Sequence, residues 1–319
     1  GWKVSATGIF FFFFGYHVKA DGRVDMDEVW AMAKEHRPKL IWCGCTAYVY
    51  EVEYEKFAEI ADSVGAFLAA DIAHVAGLVV AGAHKSPVEF AHIVSTTTHK
   101  TLRGPRGGMI MATEKGLIKD PELGDKLDKA VFPGLQGGPH DHQTGAIAIA
   151  LKEAATKEFK EYGRQIVKNA KALGVSMVKN GLKLVGGGTE NHLLLVDLAP
   201  LVGPGGGVFG SEVLEAAGMT VNKNTVPKDP GSPFYPSGIR LGTPALTTRG
   251  FKEGEMEKVG EWIAIALNEI NNYRLPEKKE ERANYIAKFK QDITGNEVLK
   301  KIRGEIKELC KNFPVPGIK

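Results

Sequence analysis

The stretch STTTHKTLRGPRGG (95–108) places one amine, Lys100, behind three threonines and a histidine and ahead of an arginine- and glycine-rich turn. An amine is a nucleophile only when deprotonated, and its ordinary pKa is about 10.4. Burial and nearby positive charge lower that value, and an aldehyde can then capture the amine as an imine. His99, Arg103 and Arg106 are placed to supply such charge. The hydroxyls of Thr96, Thr97 and Thr98 could orient a phosphate or pass protons. Standing alone, a lysine in a polar loop is more often a solvent-exposed one.

Three further stretches add to that amine. In AADIAHVAG (69–77), Asp71 ends an apolar strand and His74 follows three residues on. Taken singly these are a helix N-cap and a packed core histidine. A carboxylate and a lysine at successive strand ends also meet two needs of pyridoxal phosphate. That cofactor takes a carboxylate against its ring nitrogen and a lysine for its aldehyde. The glycines of AVFPGLQGGPHDH (130–142) let backbone N–H groups approach an anion such as its phosphate. In SGIRLGTPALTTRG (237–250), Arg240 sits in a short apolar strand, where a guanidinium is costly unless paired. A substrate carboxylate is the natural bidentate partner, and a structural salt bridge is the other reading.

These residues need a frame that brings strand ends together. Residues 24–36 and 54–65 carry helical spacing, and 39–44, 66–71, 92–98 and 107–113 read as strands, the first of them a short buried one. Strand–helix–strand repetition predicts a mostly parallel sheet, with ligands where strands end. Thr46, Asp71 and Lys100 each follow an apolar strand. A long helix over 144–173 is expected to bridge to a second domain, where 182–187 and 192–198 read as strands. Helices are expected at 210–217, 251–273 and 297–313, and the charged connector 276–284 reads as a solvated face. The expected division is a cofactor-binding domain over 1–150 and a smaller α/β domain over 151–319.

Composition narrows the class. The chain has 319 residues, 43% of them apolar and 25% charged. Its 41 basic and 38 acidic residues leave +3, too balanced to argue for nucleic acid. Cys43 and Cys45 form a C-x-C too short for most zinc sites, so reduced thiols, a cytoplasmic protein and no metal are expected. The run IFFFFFG (9–15), which holds Phe10–Phe14, is far shorter than the roughly 20 residues of a membrane span. It lacks a signal peptide's flanks, and a buried strand is expected there.

Together the motifs DIAHVAGLVVAG, TTTHKTLRGPRGG, VFPGLQGGP, GGTENHLLLVDL, VNKNTVP and SGIRLGTPA, in this order, resemble the serine hydroxymethyltransferase family. The resemblance runs from about Val4 to the C-terminal helix. It implies the pyridoxal-phosphate fold of type I, aspartate-aminotransferase-like, with a mostly parallel large domain and a smaller C-terminal α/β domain. It implies interconversion of serine and glycine, with the hydroxymethyl carbon passed to tetrahydrofolate or a related pterin. Lys100 resembles the lysine that holds the cofactor aldehyde, Asp71 the ring-nitrogen partner, and His74 the histidine near the phenolic oxygen. Thr46 stands where the family usually has a serine that bonds the cofactor. Thr97 matches a threonine tied to proton movement, and His99 the histidine that helps hold the phosphate. Gly137 and Gly138 match a turn that reaches the neighbouring subunit's phosphate, which implies a homodimer or a tetramer. Arg240 matches the carboxylate clamp and Asn224 a pterin-contacting position.

The family also carries an N-terminal segment ahead of the matched region, with a ring-stacking histidine, a phosphate-binding Ser-Gly turn, tyrosines and a proton-transfer glutamate. None of these maps onto this sequence. The rival expectations are a folate-independent aldolase of threonine-type β-hydroxy amino acids, which VNKNTVP argues against, and an inactive fragment that keeps the fold.

Overall fold

The computed structural model describes residues 5–318, so Val4, where the resemblance begins, lies outside the described residues. Helix α1 (Ala6–Phe10) is followed by α2 (Met26–His36), whose N-cap Asp25 accepts the Glu28 N–H at 3.3 Å. The first sheet holds β1 (Leu40–Cys43), β2 (Phe67–Asp71), β3 (Ile93–Thr97) and β4 (Gly108–Ala112), in that spatial order. The pairs β1–β2 and β2–β3 are parallel, and β3–β4 is antiparallel. Helix α3 (Tyr54–Val64) connects β1 to β2, and α4 (Ala76–Val80) connects β2 to β3. In β2, Leu68, Ala69 and Ala70 are all buried, the continuous apolar run expected of an inner parallel strand.

Beyond β4 the chain forms α5 (Glu114–Lys119), α6 (Leu123–Lys129), α7 (Asp141–Ala154) and α8 (Lys157–Lys179). A second sheet follows, built from β5 (Leu193–Asp197), β6 (Asn222–Asn224) and β7 (Gly238–Gly242). Its order is β5-β7-β6 and both pairings are antiparallel. Helices α9 (Ala199–Val202) and α10 (Gly207–Ala216) lie between β5 and β6. The chain ends in α11 (Pro244–Thr248), α12 (Glu253–Asn268), α13 (Lys279–Thr294) and α14 (Glu297–Lys311). No helix among the described residues is long and apolar enough to cross a membrane.

Two apolar cores result. One gathers Phe57, Ile60, Leu68, Val94 and Phe159 around the first sheet. The other gathers Leu194, Val196, Phe209, Ile239, Ile263 and Phe289 around the second. Helix α8 serves both, with Phe159 in the first core and Leu173 and Met177 in the second. Val49 and Tyr50 pack on Leu193 and Leu195 of β5, forming a seam between them. Hydrogen bonds stitch that seam: Glu190 N–H to Val49 O (2.8 Å), Glu51 N–H to Glu190 Oε2 (2.7 Å) and Asn191 Nδ2–H to Tyr48 O (2.8 Å).

Several sequence expectations are corrected here. The run 9–15 is no buried strand: α1 ends in it, and Phe10–Phe14 are 46% to 101% exposed. Apolar content asks for burial, yet among the described residues no sheet edge receives this segment, and Phe14 alone of the run stacks on a ring, that of His36, at 3.7 Å. Strand β1 is exposed on one face, through Leu40 and Trp42. The helix expected over 144–173 is two helices, because Thr156 is extended and caps α8, accepting the Phe159 N–H at 3.2 Å. The 182–187 stretch forms only a Leu184–Val196 bridge, since Gly186 and Gly187 turn the chain with φ of 69° and 68°. The 276–284 connector is the solvated face expected, and most of it is helical as the start of α13.

Candidate active site

Asp71 closes β2, where parallel strands end and loops begin. Its register partner is Ser95 of β3, whose carbonyl accepts the Ile72 N–H at 2.9 Å. The end of β1 comes very close: Gly44 has φ of 125°, and a Cβ there would overlap the Asp71 carbonyl oxygen. Only glycine suits both demands. Asp71 Oδ1 accepts the Ala73 N–H (2.8 Å), a local bond of the capping kind, and the other oxygen has no hydrogen-bond partner among the described residues.

Lys100 stands on the loop after β3, whose fold is fixed by its own backbone. Thr98 N–H donates to Gly107 O (3.1 Å), Gly104 N–H to Thr98 O (2.8 Å) and Arg103 N–H to Lys100 O (3.0 Å). Arg103 adopts a left-handed φ of 59°, and its guanidinium lies 4.1 Å over the Tyr162 ring. That stacking ties the loop to α8. Thr101 docks the loop on α4, accepting the Gly77 N–H (2.9 Å) and donating to His74 O (3.0 Å). A Cβ on Gly77 would overlap the Thr101 carbonyl. Lys100 itself is exposed, while the Nδ1 of adjacent His99 is buried without a partner among the described residues.

His74 is where these pieces meet. Burial, then the charge of Lys100, then that of Arg240 push it down to about 4, so both cations lie close to the ring. It stacks on His192, centroids 5.9 Å apart and planes 19° apart. His192 is 6% exposed and is pushed to about 3 by burial first and then by His74. Both imidazoles are therefore neutral near pH 7.

Arg240 projects from β7, opposite Leu195 and Asn222. It donates through Nη1 to Thr46 O (2.8 Å) and through Nη2 to Asn222 Oδ1 (3.3 Å), and burial lowers its pKa. No acidic side chain among the described residues pairs with it, which removes the structural salt bridge and leaves donors for an incoming carboxylate.

Thr46, Asp71, His74, Lys100 and Arg240 are thus brought together beside the seam. Thr97 adjoins them, its Oγ1 donating to Ala73 O at 3.4 Å. The side chain of Asn224, two residues from Asn222, donates to its neighbour's carbonyl, Thr225 O, at 2.7 Å. Gly137 and Gly138 lie on the exposed stretch 130–142, with open space where a side chain would stand. The donor set suits a phosphorylated pyridine aldehyde: an amine, a carboxylate with one unpartnered oxygen, and an orphaned buried imidazole nitrogen at His99. Sequence reasoning passed over His192 and Tyr54. His192 lies inside GGTENHLLLVDL, one residue before β5, and that position was its only signal.

Comparison with known proteins gives concordant matches. The family model described as serine hydroxymethyltransferase matches residues 2–263. A protein of that name from Sorangium cellulosum is 47% identical over 323 residues, covering 100% of this chain and 68% of the relative. One from Acidothermus cellulolyticus is 49% identical over 322 residues, covering 100% and 69%. One from Campylobacter hominis is 50% identical over 313 residues, covering 98% and 68%.

Proposed function

Because the chain belongs to the serine hydroxymethyltransferase family, we propose that it interconverts serine and glycine, passing the hydroxymethyl carbon to tetrahydrofolate or a related pterin. The observation that carries this reading at residue level is the convergence on His74: Asp71 lines the same small cavity, and Lys100 and Arg240 both act on its ring. Pyridoxal phosphate, when bound, supplies the aldehyde and the electron-withdrawing ring that make a bond to the amino-acid α-carbon breakable.

The chain's own residues do the rest. Lys100 would hold the aldehyde, Asp71 would serve the ring nitrogen, and neutral His74 would donate toward the phenolic oxygen. Thr46 and His99 add cofactor contacts, His99 to the phosphate. Arg240 grips the substrate carboxylate while anchored to Thr46 and Asn222, and a fixed carboxylate sets which α-carbon bond is broken. Thr97 passes protons near the amine, and Asn224 contacts the pterin. Gly137 and Gly138 serve the phosphate of a neighbouring subunit, so the working form is at least a homodimer, and its place is the cytoplasm. The proposed division is a cofactor-binding domain over 1–150 and a C-terminal α/β domain over 151–319.

Borohydride reduction in the presence of pyridoxal phosphate tests the core of this assignment. The wild-type chain should gain one phosphopyridoxyl group on the Lys100 peptide, and Lys100→Ala should gain none by intact mass. Equal labelling of the variant would refute the assignment. Serine cleavage measured with and without tetrahydrofolate separates the transferase from an aldolase, since only the transferase depends on the pterin.

A further inference from the structure

Tyr54 opens α3 with its ring packed in the first core and its edge toward His84, centroids 6.5 Å apart. The residue is 2% exposed, and its Oη has no hydrogen-bond partner among the described residues. Buried hydroxyls in folded proteins are almost always satisfied, by protein or by ordered water. Tyr54 lines a cavity of about 20 Å³ together with Cys45, Asp71, His74, His84 and Asn191. One water needs about 10–15 Å³ and two to four polar partners. The space therefore has room for one water.

The other polar walls are mostly engaged. His84 Nδ1 meets Lys85 O at 2.9 Å. Asn191 gives Nδ2–H to Tyr48 O at 2.8 Å and takes the Leu193 N–H at 3.0 Å. Asp71 keeps one oxygen unpartnered. Burial first, then Cys43, Cys45, Glu51 and Asp71, raise the Tyr54 pKa, so its phenol stays a donor. We infer that Tyr54 acts on Asp71 through one water in this cavity, which accepts from the phenol and donates to the carboxylate, making Tyr54 a positioning residue of the site. The water fixes the carboxylate's rotation, and each oxygen keeps a second lone pair for the ring nitrogen; this last consequence rests on the role proposed for Asp71.

The water and its effect are tested separately. Crystals of the 319-residue chain grown without cofactor should show density within hydrogen-bond distance of Tyr54 Oη and the Asp71 carboxylate, lost in Tyr54→Phe. The same variant should unfold at lower urea, because a bridged hydroxyl stabilises; an unchanged or higher midpoint would mean an orphan hydroxyl and overturn the water. For positioning, Tyr54→Phe should weaken pyridoxal phosphate binding several-fold, and Tyr54→Phe with Asp71→Asn should bind no worse than Asp71→Asn alone. Additive losses, or no loss in Tyr54→Phe, overturn the positioning role. Unchanged binding in Asp71→Asn would instead count against Asp71 as the ring-nitrogen partner.

Discussion

At the scale of single residues, Arg240 and the paired histidines carry the sharpest expectations. Replacing a bidentate guanidinium by an ammonium keeps the charge and loses the fork. Arg240→Lys should lower kcat/KM for serine about 10–100-fold, and Arg240→Ala by more, with each side-chain contact of this kind worth about 1.5–3 kcal/mol. Borohydride labelling of Lys100 should be unaffected, and steady-state kinetics beside a labelling assay would check both. The histidines make a pH prediction. His74 and His92 are pushed down to about 4 and His192 to about 3, each first by burial, against an ordinary value of 6.5. Between about 4 and 6.5 the unfolded chain therefore binds more protons than the folded one. Their contribution is complete above 6.5 and is lost as pH falls through that window. The unfolding free energy should fall from pH 7 to pH 5, read as a lower urea midpoint, with the deeply buried His192 contributing to the fall. His192→Gln should flatten that slope, and an unchanged slope would show that the ring titrates as if in water.

At the scale of elements, the Lys100 loop is held by its fit to α4, and Gly77 is the tightest point. Gly77→Ala would force the Thr101 carbonyl to move; such overpacking costs about 1–3 kcal/mol. Both the urea midpoint and the yield of borohydride labelling at Lys100 should fall. A fall in the midpoint with full labelling would show that the loop tolerates the shift. Elements of this kind were legible in the sequence where periodicity and punctuation agreed. The spacing of 54–65 ends at Gly65, and α3 does too. Breaks carried by one side chain were hidden: Thr156 lies in an alanine- and lysine-rich run whose helical spacing continues through it. The two glycines after Val185 were overruled by the apolar pattern of LKLV. Asp71, Lys100 and Arg240 could be picked out because each is a polar group at the end of, just after, or inside a strand. His192 and Tyr54 could not, since what distinguishes them is burial against segments far away in the chain.

At the scale of the whole molecule, the two cores account for apolar residues that find a partner, and the phenylalanine run for those that do not. Substituting Phe11, Phe12 and Phe13 together by serine should leave the unfolding free energy within about 0.5 kcal/mol, as for ordinary surface changes. Phe57→Ala, inside the first core, should cost about 3–5 kcal/mol. Urea titrations of both variants compare them directly, and a triple variant as damaged as Phe57→Ala would place the run in a core after all. The triple variant should also elute earlier from a hydrophobic column, because exposed rings of this size form an adhesive surface. The bond from Arg240 to Thr46 reaches across the line where those cores meet, from β7 of one to the loop after β1 of the other. Linkage makes the dependence mutual: if a carboxylate landing on that guanidinium tightens the join, a solute that loosens the join must release the amino acid by the same factor. Substrate affinity and the cohesion of the two halves are then one free energy seen from opposite ends.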